Sequence, residues 1–509
     1  MNQLQLFIAF IVHCGIILLE LMALLKYQYG MDFTDPVGGV MLGIELKRNS
    51  ELQLWRQIYQ SLKDLMLSGQ LRAGESLPST RELAKELKVS RNTVCEAYDL
   101  LISESYVVSR QGAPTRVADG LCIKSTEALL SLKTESHAVR KIIVSFRTGR
   151  PDLDHFPRFL WQQFLHKASE TLPLDDFGYS GPQGLPELRD EIAAWLFRSR
   201  GLKVSSENIF ITAGATHGLH LIADLLCGDG KEILMEDPCH IGMLGTFVNK
   251  GCAIIPIPVD AEGMQTDYLP KSRNIGIIYV TPSHQYPLGG ILPASRRAAL
   301  IHFARKNDLY IIEDDYDSEF RYDGEPIAPL YSSDPQRVIY VGTFSKSVFP
   351  ALRIGYVILP YQLHEQWCDL RTHTDVQNPP FEQAALAEFL RTRKFDRYVQ
   401  KMRKIYGYRR QVLLESLKEN FGSNWTAYGD STGLHVAIDF PEMRFDETFF
   451  TNCLQNGLYI TSVESHCIEK GLHQSKLLIG YGHLEPDEIK NGVVLLRSLL
   501  SVQGYTFQT

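Results

Sequence analysis

Lys346 and the residues near it could hold a cofactor that carries an aldehyde. The lysine follows an apolar run that predicts a strand, and the small hydroxyl residues Thr343 and Ser345 come just before it. A lysine in this setting can attack a carbonyl and form a Schiff base. A second apolar run is followed by Asp314 and Tyr316. Their carboxylate and phenol can pair with a pyridinium nitrogen and a phenolate oxygen, which favours pyridoxal 5′-phosphate (PLP) as the cofactor.

Groups that can hold a phosphate occur in the same part of the chain. The hydroxyls of Thr343 and Ser345 can bind phosphate oxygens, and Arg353 can do so through a forked, charge-assisted pair. A further anion site is predicted between a strand and a helix, because free N–H groups point out of a helix N-terminus. Its residues are Gly214, Ala215 and Thr216. The order of these groups at successive strand ends makes PLP the predicted cofactor.

A separate set of polar residues, nearer the beginning of the chain, suits DNA. An amphipathic helix is predicted over residues 51–67, and Ser79 and Glu82 form a capping box that begins a second helix. Ser90 caps a third helix, and a two-stranded hairpin follows it. This order predicts a winged helix-turn-helix, whose recognition helix enters the major groove. The predicted DNA contacts are Arg81, Arg91, Asn92, Thr93, Arg110 and Arg116, the last two beside the wing tip.

The remaining elements must position the Lys346 site. From residue 142 onward, short apolar runs alternate with helical stretches, which predicts an α/β fold with a mainly parallel sheet between helices. Ligands of such sheets bind at the carboxyl ends of the strands, where Lys346 and Asp314 fall. The predicted strands are residues 209–211, 232–235, 253–255, 275–280, 309–312 and 338–341.

Length and charge agree with one small and one large domain. The 509 residues are too many for one ordinary domain. Between Lys47 and Arg116 eleven basic and eight acidic residues give a net charge of +3, so the rest of the chain carries −10. The sign of this asymmetry suits a small DNA-binding domain on an acidic body. The predicted boundaries are 47–117 for the first domain, 118–140 for a partly helical linker and 141–509 for the second domain.

The cysteines and the N-terminus bear on localisation. The nine cysteines are scattered, without a zinc-like cluster, which predicts reduced thiols in the cytoplasm and no metal. Residues 4–25 approach the ~20 apolar residues of a membrane span, but His13 and Glu20 interrupt them. The segment is a membrane anchor, a buried or partner-binding helix, or the product of an upstream start codon. For residues 1–40 we favour the last, because Met41 immediately precedes the first domain.

Two stretches of the sequence resemble known families. Residues 54–117 resemble the DNA-binding domain of GntR regulators, through runs such as Trp55-Arg56-Gln57-Ile58, Val89-Ser90-Arg91-Asn92-Thr93-Val94 and Ser109-Arg110-Gln111-Gly112. Residues 146–501 resemble fold-type I PLP enzymes, which have the aminotransferase fold. The run Gly342 to Lys346, the Pro287-x-Gly289 turn and Gly433-Leu434-His435 carry that resemblance. Together the two parts look like the MocR subfamily of GntR regulators.

The resemblance implies a role for each residue of the site. Lys346 would carry PLP, Asp314 would pair with the ring nitrogen and Tyr316 with the phenolate oxygen. His240 would stack on the ring. Tyr179 would reach the phosphate bound by the neighbouring subunit, which implies a homodimer. The phosphate itself would be held by Thr343, Ser345, Arg353 and the loop of Gly214, Ala215 and Thr216.

Several positions depart from the family patterns. Cys95 stands where some GntR relatives have a further arginine. Tyr286 replaces the asparagine that usually precedes Pro-x-Gly, and Leu477-Leu478 occupy the run where aminotransferases usually have an arginine for the substrate carboxylate. His483 is the nearest polar candidate, and His240 is a smaller ring than the usual tyrosine. We therefore expect PLP binding without efficient turnover.

The leading hypothesis is a transcription regulator that binds a double-stranded DNA operator and senses an amino compound, or PLP itself, at Lys346. Two alternatives belong to other classes. One is a working aminotransferase with an accessory DNA-binding domain. The other is a membrane-tethered regulator that uses residues 4–25 as its anchor.

Overall fold

The structure is a computed structural model that describes residues 42–110, 112–120, 142–228, 230–271, 274–429 and 431–502. It divides into two compact units, separated within residues 121–141. The predicted extension (1–40) and residues 121–140 of the predicted linker lie outside the described residues. Within the described residues, no helix is long and apolar enough to cross a membrane.

The first unit consists of three helices and a hairpin. They are α1 (Leu54–Leu67), α2 (Thr80–Glu86), α3 (Arg91–Ser103), β1 (Val107–Val108) and β2 (Arg116–Val117). Both predicted caps are present. The Ser79 N–H donates to the Glu82 carboxylate at 2.9 Å and Ser79 Oγ accepts from the Glu82 N–H, while Ser90 Oγ accepts from the Thr93 N–H at 3.1 Å.

The amphipathic pattern of α1 provides much of this unit's core. Ile58 and Leu62 of α1 are fully buried against Leu83 of α2 and Val94 of α3. The helix begins at Leu54, three residues later than the sequence predicts, because Gln53 has extended backbone angles (φ −59°, ψ 146°). Residues 51–53 therefore precede the helix.

An eight-stranded sheet forms the centre of the second unit. Its strands are β4 (Ile209–Thr212), β5 (Glu232–Asp237), β6 (Ala253–Asp260), β7 (Gly263–Met264), β8 (Ile275–Val280), β9 (Tyr310–Asp315), β10 (Val338–Thr343) and β11 (Gly355–Ile358), in the order β4-β11-β10-β9-β8-β5-β6-β7. Strands β10, β9, β8, β5 and β6 are parallel, while β11 and β7 run antiparallel to their neighbours. All six predicted strands are present, within a mainly parallel sheet.

Helices cover this sheet and complete the unit. They are α4 (Arg158–Thr171), α5 (Pro186–Arg200), α6 (Ala215–Leu226), α7 (Ile241–Asn249), α8 (Ala294–Asn307), α9 (His364–Thr374), α10 (Pro380–Arg391), α11 (Lys394–Phe421), α12 (Glu447–Gln455) and α13 (Pro486–Val502). Successive strand residues alternate between two buried clusters, so that Ile277 and Ile312 face one while Ile278 and Ile311 face the other. This alternation accounts for strands that are apolar throughout.

A smaller antiparallel sheet supplies another part of the site. It contains β12 (Thr426–Tyr428), β13 (His435–Asp439), β16 (Lys476–Gly480) and β15 (Thr461–Ser462), in that order. Strands β3 (Val144–Ser145) and β14 (Leu458–Tyr459) form a separate parallel pair. The sequence prediction did not include these strands. These strands bear on the site because Ala437 of β13 pairs with Leu478 of β16, and both residues belong to the buried cluster of Tyr286.

Candidate functional site

A cavity of about 260 Å³ lies at the carboxyl ends of β8, β9 and β10. Nine of the predicted cofactor residues line it: Lys346, Asp314, Tyr316, Thr343, Ser345, Arg353, Ala215, Thr216 and His240. The parallel strands bring together residues far apart in sequence, because their carboxyl ends meet at one edge of the sheet. Gly214 and Tyr179 are not part of the lining.

Lys346 is held at the cavity wall by the backbone. Its Nζ donates a hydrogen bond to the Gly149 carbonyl at 2.7 Å. Gly149 has a φ of +70°, which favours glycine, and a Cβ there would lie 2.9 Å from Nζ, so a larger residue would also displace the lysine. Burial lowers the pKa of Lys346 and outweighs the carboxylates of Asp317 and Asp314, which raise it. The neutral amine, which is the nucleophilic form, is therefore easier to reach than for a lysine in water.

Asp314 offers an unused acceptor to the cavity. Its Oδ2 accepts a hydrogen bond from the Tyr279 hydroxyl at 2.6 Å, while Oδ1 is buried with no hydrogen-bond partner among the described residues. Burial raises the pKa of this carboxyl to about 6. A buried acceptor of this kind fits a ring N–H that would complete its hydrogen bonding. The residues present therefore fit PLP.

Tyr316 belongs to a buried polar cluster that the sequence did not predict. His284 Nδ1 lies 3.0 Å from the Tyr316 hydroxyl and 2.9 Å from Asp317 Oδ1, so the imidazole lies between the phenol and the carboxylate. Burial raises the pKa of Tyr316 well above its ordinary value. The phenol is therefore protonated and can donate to an oxygen in the cavity.

The phosphate end of the cavity is built around the start of α6. The Thr343 hydroxyl donates to Ser345 Oγ at 3.0 Å, and Arg353 Nη2 donates to the Ala213 carbonyl at 2.6 Å. Gly214 caps α6 at a φ of +90°, and a Cβ there would lie 2.8 Å from the Arg353 guanidinium. Gly214 therefore lets Arg353 lie against the helix N-terminus, where free N–H groups suit an anion.

Another part of the wall is aromatic and apolar. Tyr286 is 7% exposed and packs in one apolar cluster with Leu478 and Ala437. Its hydroxyl lies 3.2 Å from Thr148 Oγ1, and its N–H donates to the Thr281 hydroxyl at 3.1 Å. The two departures from the aminotransferase pattern, Tyr286 and Leu478, thus belong to one buried apolar cluster, of which Tyr286 lines the cavity.

Histidine rings flank Tyr286. The ring centroids of His240 and His435 lie 5.0 and 5.2 Å from that of Tyr286. Burial lowers the pKa of His435 well below its ordinary value, and burial likewise lowers the pKa of His240. Both rings are therefore favoured in the neutral form. His240 Nδ1 also accepts the Gly242 N–H at 3.1 Å and caps α7.

Two further predicted positions lie away from the cavity. Tyr179 is 88% exposed, beside the short 3₁₀ helix Leu174–Phe177. His483 does not line the cavity.

The predicted DNA contacts lie at the surface of the first unit. Arg81, Arg91, Asn92, Arg110 and Arg116 are exposed and Thr93 is half-buried. Arg91 Nε donates to Thr80 Oγ1 at 3.3 Å, which joins the first turn of α3 to the start of α2. Arg116 Nη1 donates to the Gly74 carbonyl at 2.8 Å, so this side chain also holds the hairpin to the loop before α2.

Sequence reasoning missed the cavity residues Tyr279 and Asp317, and it missed His284, which bonds to Asp317 behind the lining. The available signal for His284 was its place in the run Pro282 to Gln285, which begins two residues after the end of β8. Within the described residues, no group of three or more His, Cys, Asp or Glu side chains could hold a metal ion.

Comparisons with known proteins agree with this architecture. The family described as "Bacterial regulatory proteins, gntR family" matches residues 54–117, and "Aminotransferase class I and II" matches residues 142–493. The probable rhizopine catabolism regulatory protein MocR of Rhizobium meliloti is 30% identical over 89% of this chain and 95% of that protein. The pyridoxine biosynthesis transcriptional regulator PdxR of Corynebacterium glutamicum is 32% identical over 88% and 96% of the two chains.

Among solved structures, an archaeal alanine:glyoxylate aminotransferase superposes with a TM-score of 0.67 and 28% identity. The match covers 71% of this chain and 91% of that one.

The fold and the site define a regulator in which a winged-helix DNA-binding domain is joined to an aminotransferase-like domain that takes PLP as its cofactor. The chain belongs to the MocR-type transcription regulators of the GntR family. These comparisons confirm the predicted fold class, family and cofactor.

Proposed function

We propose that this regulator senses an amino compound, or PLP itself, at the Lys346 site, and that occupancy of the site changes its affinity for a DNA operator. We further propose that it acts as a homodimer in the cytoplasm. Its domains would be residues 47–117 and 141–509, joined by a linker over 118–140. The observation that carries the proposal is the contrast within one cavity. Groups that suit PLP surround Lys346, while Tyr286 lines the same cavity and belongs to an apolar cluster with Leu478.

Each residue of the site would have a defined task. Bound PLP supplies an aldehyde that combines with primary amines and a ring that withdraws electrons. Lys346 would hold the cofactor covalently, Asp314 would accept from its ring nitrogen and Tyr316 would donate to its phenolate oxygen. Its phosphate would be held by Thr343, Ser345, Arg353 and the N-terminus of α6, at Gly214, Ala215 and Thr216. His240 would pack against its ring.

A homodimer is supported by apolar surface near Tyr179. Leu174 is 84% exposed and Phe177 is 54% exposed, within a few residues of Tyr179. Such exposed apolar groups close together favour a protein interface. Tyr179 would then reach the phosphate in the partner subunit. Sedimentation of the PLP-bound protein tests this: a dimer is expected, and a monomer at micromolar concentration would contradict it.

DNA contacts are proposed for Arg81, Arg91, Asn92, Thr93, Arg110 and Arg116. Two winged-helix domains in a dimer would bind two half-sites of one operator. The described cysteines are free thiols, which suits the reducing environment of the cytoplasm.

An aminotransferase with an accessory DNA-binding domain is the rival function. Transamination needs a substrate held with its reacting C–H bond in line for Lys346, and a misplacement of ~1 Å can cost ~100-fold in rate. Tyr286 and Leu478 offer no charged group for such a grip. The test measures keto-acid formation and operator affinity with the same amine. We expect a change in affinity with slow or no turnover, and rapid turnover at constant affinity would establish the enzyme.

A further inference from the structure

We propose that the effector of this site is a primary amine that carries no carboxylate, recognised through hydroxyl or ring groups. This inference rests on the proposed function, in which the Lys346 site senses an amino compound. It is carried by the charges and contacts of the cavity wall around Tyr286.

The first step concerns the positive charges that face the cavity. Among the described residues that line it, Lys346 and Arg353 are the only lysine and arginine. Lys346 is committed to the cofactor, and its Nζ bonds to the Gly149 carbonyl. Arg353 lies against Gly214 and the Ala213 carbonyl, at the end of the cavity that suits the phosphate. Arg353 is thus held at the phosphate end, and Lys346 already has a partner in the cofactor or in the Gly149 carbonyl.

The second step concerns the wall beside Tyr286. Its ring lies 5.0 Å from the His240 ring and 5.2 Å from the His435 ring, and Leu478 packs in the same cluster. Burial lowers the pKa of both histidines, so the wall is aromatic and uncharged near neutral pH. His435 Nε2 is already engaged by the Pro287 carbonyl at 3.2 Å, which favours its donor tautomer.

The consequence for a ligand follows from its desolvation. A carboxylate placed against this wall would lose water without gaining a charged partner, which is unfavourable in a buried site. A hydroxyl can hydrogen-bond to an imidazole nitrogen, and a ring can pack edge-on against Tyr286. The carboxylates of Asp314 and Asp317, which also line the cavity, disfavour a further negative charge.

Matched pairs of amines test the proposal on the PLP-bound full chain. The probes are tyramine and tyrosine, histamine and histidine, and ethanolamine and serine, which differ within each pair only by a carboxylate. Apparent affinity is read from the change in the visible cofactor spectrum. We expect the amine to bind at least about tenfold more tightly than its amino acid, since a buried carboxylate left without a partner costs that factor or more. Equal or tighter binding of the amino acids, or a response to PLP alone and to none of the amines, would overturn it.

A change of charge at position 286 provides a second test. Tyr286→Arg places a guanidinium beside the cavity, and Tyr286→Gln, the matched control, is polar but uncharged. We expect Tyr286→Arg to shift the preference within each pair toward the amino acid by about tenfold, and Tyr286→Gln to retain the preference for the amine. An identical preference in both variants would contradict the role given to this wall. If Tyr286→Arg does not fold, the wild-type pairs still decide the proposal.

Operator affinity, measured with the same six probes, separates this proposal from the function on which it rests. Tighter amine binding with unchanged operator affinity would support the proposed ligand class and contradict the sensing function. Tighter amino-acid binding with a change in operator affinity would do the reverse.

Discussion

The two units present their functional side chains in opposite ways. In the second unit Asp314 and Thr343 are each only 7% exposed, and Lys346 is bonded to a backbone carbonyl. In the first unit Arg91 and Arg110 are exposed at the surface. A small cofactor can be enclosed by residues that the fold holds in place, whereas a DNA duplex must be met from outside. The comparison teaches that the second unit is organised before its ligand binds, while most contacts of the first form only with DNA.

The largest expected effect is the loss of covalent PLP attachment in Lys346→Ala. Without the amine no covalent link to PLP can form, so the visible band of the bound cofactor and the adduct trapped by borohydride should both disappear. Lys401→Ala, an exposed lysine on α11, is the matched control and should keep both. Operator affinity measured without PLP and without amine should be unchanged in both variants. A reducible adduct that survives in Lys346→Ala would move the cofactor to another lysine.

Asp314→Asn should weaken PLP binding without abolishing it. The substitution keeps an acceptor for the Tyr279 hydroxyl but removes the charge that would pair with the ring nitrogen. Loss of a charge-assisted hydrogen bond costs about 1.5–3 kcal/mol, which is roughly 10- to 150-fold in affinity. A PLP titration of cofactor-free protein measures it. Asp323→Asn, at the surface, is the control, and equal affinity of the two variants would remove Asp314 from the ring nitrogen.

Arg91→Ala should weaken operator binding by the first unit and leave PLP binding by the second unit unchanged. The residue lies on the first turn of α3, and if it contacts a base its loss should cost about 1–3 kcal/mol of operator binding and relax the sequence preference. Lys85→Ala removes one exposed charge from α2 and is the control for a purely electrostatic effect. Competition binding with operator and unrelated DNA distinguishes the loss of a base contact from the loss of a charge. PLP content should stay constant, and a variant with wild-type operator affinity would exclude Arg91 as a contact.

The sequence could predict those features of both units that depend on neighbouring residues. Caps such as Ser79 with Glu82, and strands such as residues 275–280, depend on neighbours in sequence and on apolar runs, and both were predicted correctly. The predicted strand ends were wrong: β9 continues three residues and β10 two residues further than predicted, so Asp314 and Thr343 lie within strands instead of after them. The sheet extends there because these polar residues are still paired with neighbouring strands.

Contacts between distant segments could not be predicted. Tyr279 meets Asp314 across 35 positions because β8 and β9 are neighbouring strands, and His284 meets Asp317 across 33 positions in the segments that follow those strands. The cluster that holds Tyr286 and Leu478 brings the loop after β8 together with the smaller sheet, which was not predicted at all. Sequence spacing shows which residue types are present, and only the fold shows which of them share a wall.

The smallest predicted effect concerns pH, and it should have opposite signs in the two units. Glu82 has a lowered pKa, chiefly because its carboxylate accepts the backbone N–H of Ser79. Its ionised form therefore stabilises the first unit above the ordinary glutamate pKa, and this contribution is lost as the pH falls through the lowered value. Burial instead raises the pKa of Asp314 to about 6 in the cofactor-free protein. The folded second unit then binds a proton that the unfolded chain has released, so stability falls as the pH rises from about 4 to above 6.

Thermal unfolding of cofactor-free variants measures both slopes. Relative to Asp314→Asn, the wild-type protein should lose roughly a few °C of Tm between pH 4 and pH 7, because the variant cannot ionise at that position. Relative to Glu82→Gln, the wild-type advantage should shrink as the pH falls below about 4, because the protonated carboxyl accepts the Ser79 N–H less well. Adding PLP should reverse the first slope, since a ring N–H stabilises the ionised Asp314. A Tm difference between wild type and Asp314→Asn that does not change with pH would show that this carboxyl is already ionised in the empty cavity. The contrast between an exposed, charged surface in the first unit and a buried site completed by its ligand in the second would then fail. It depends most on Asp314.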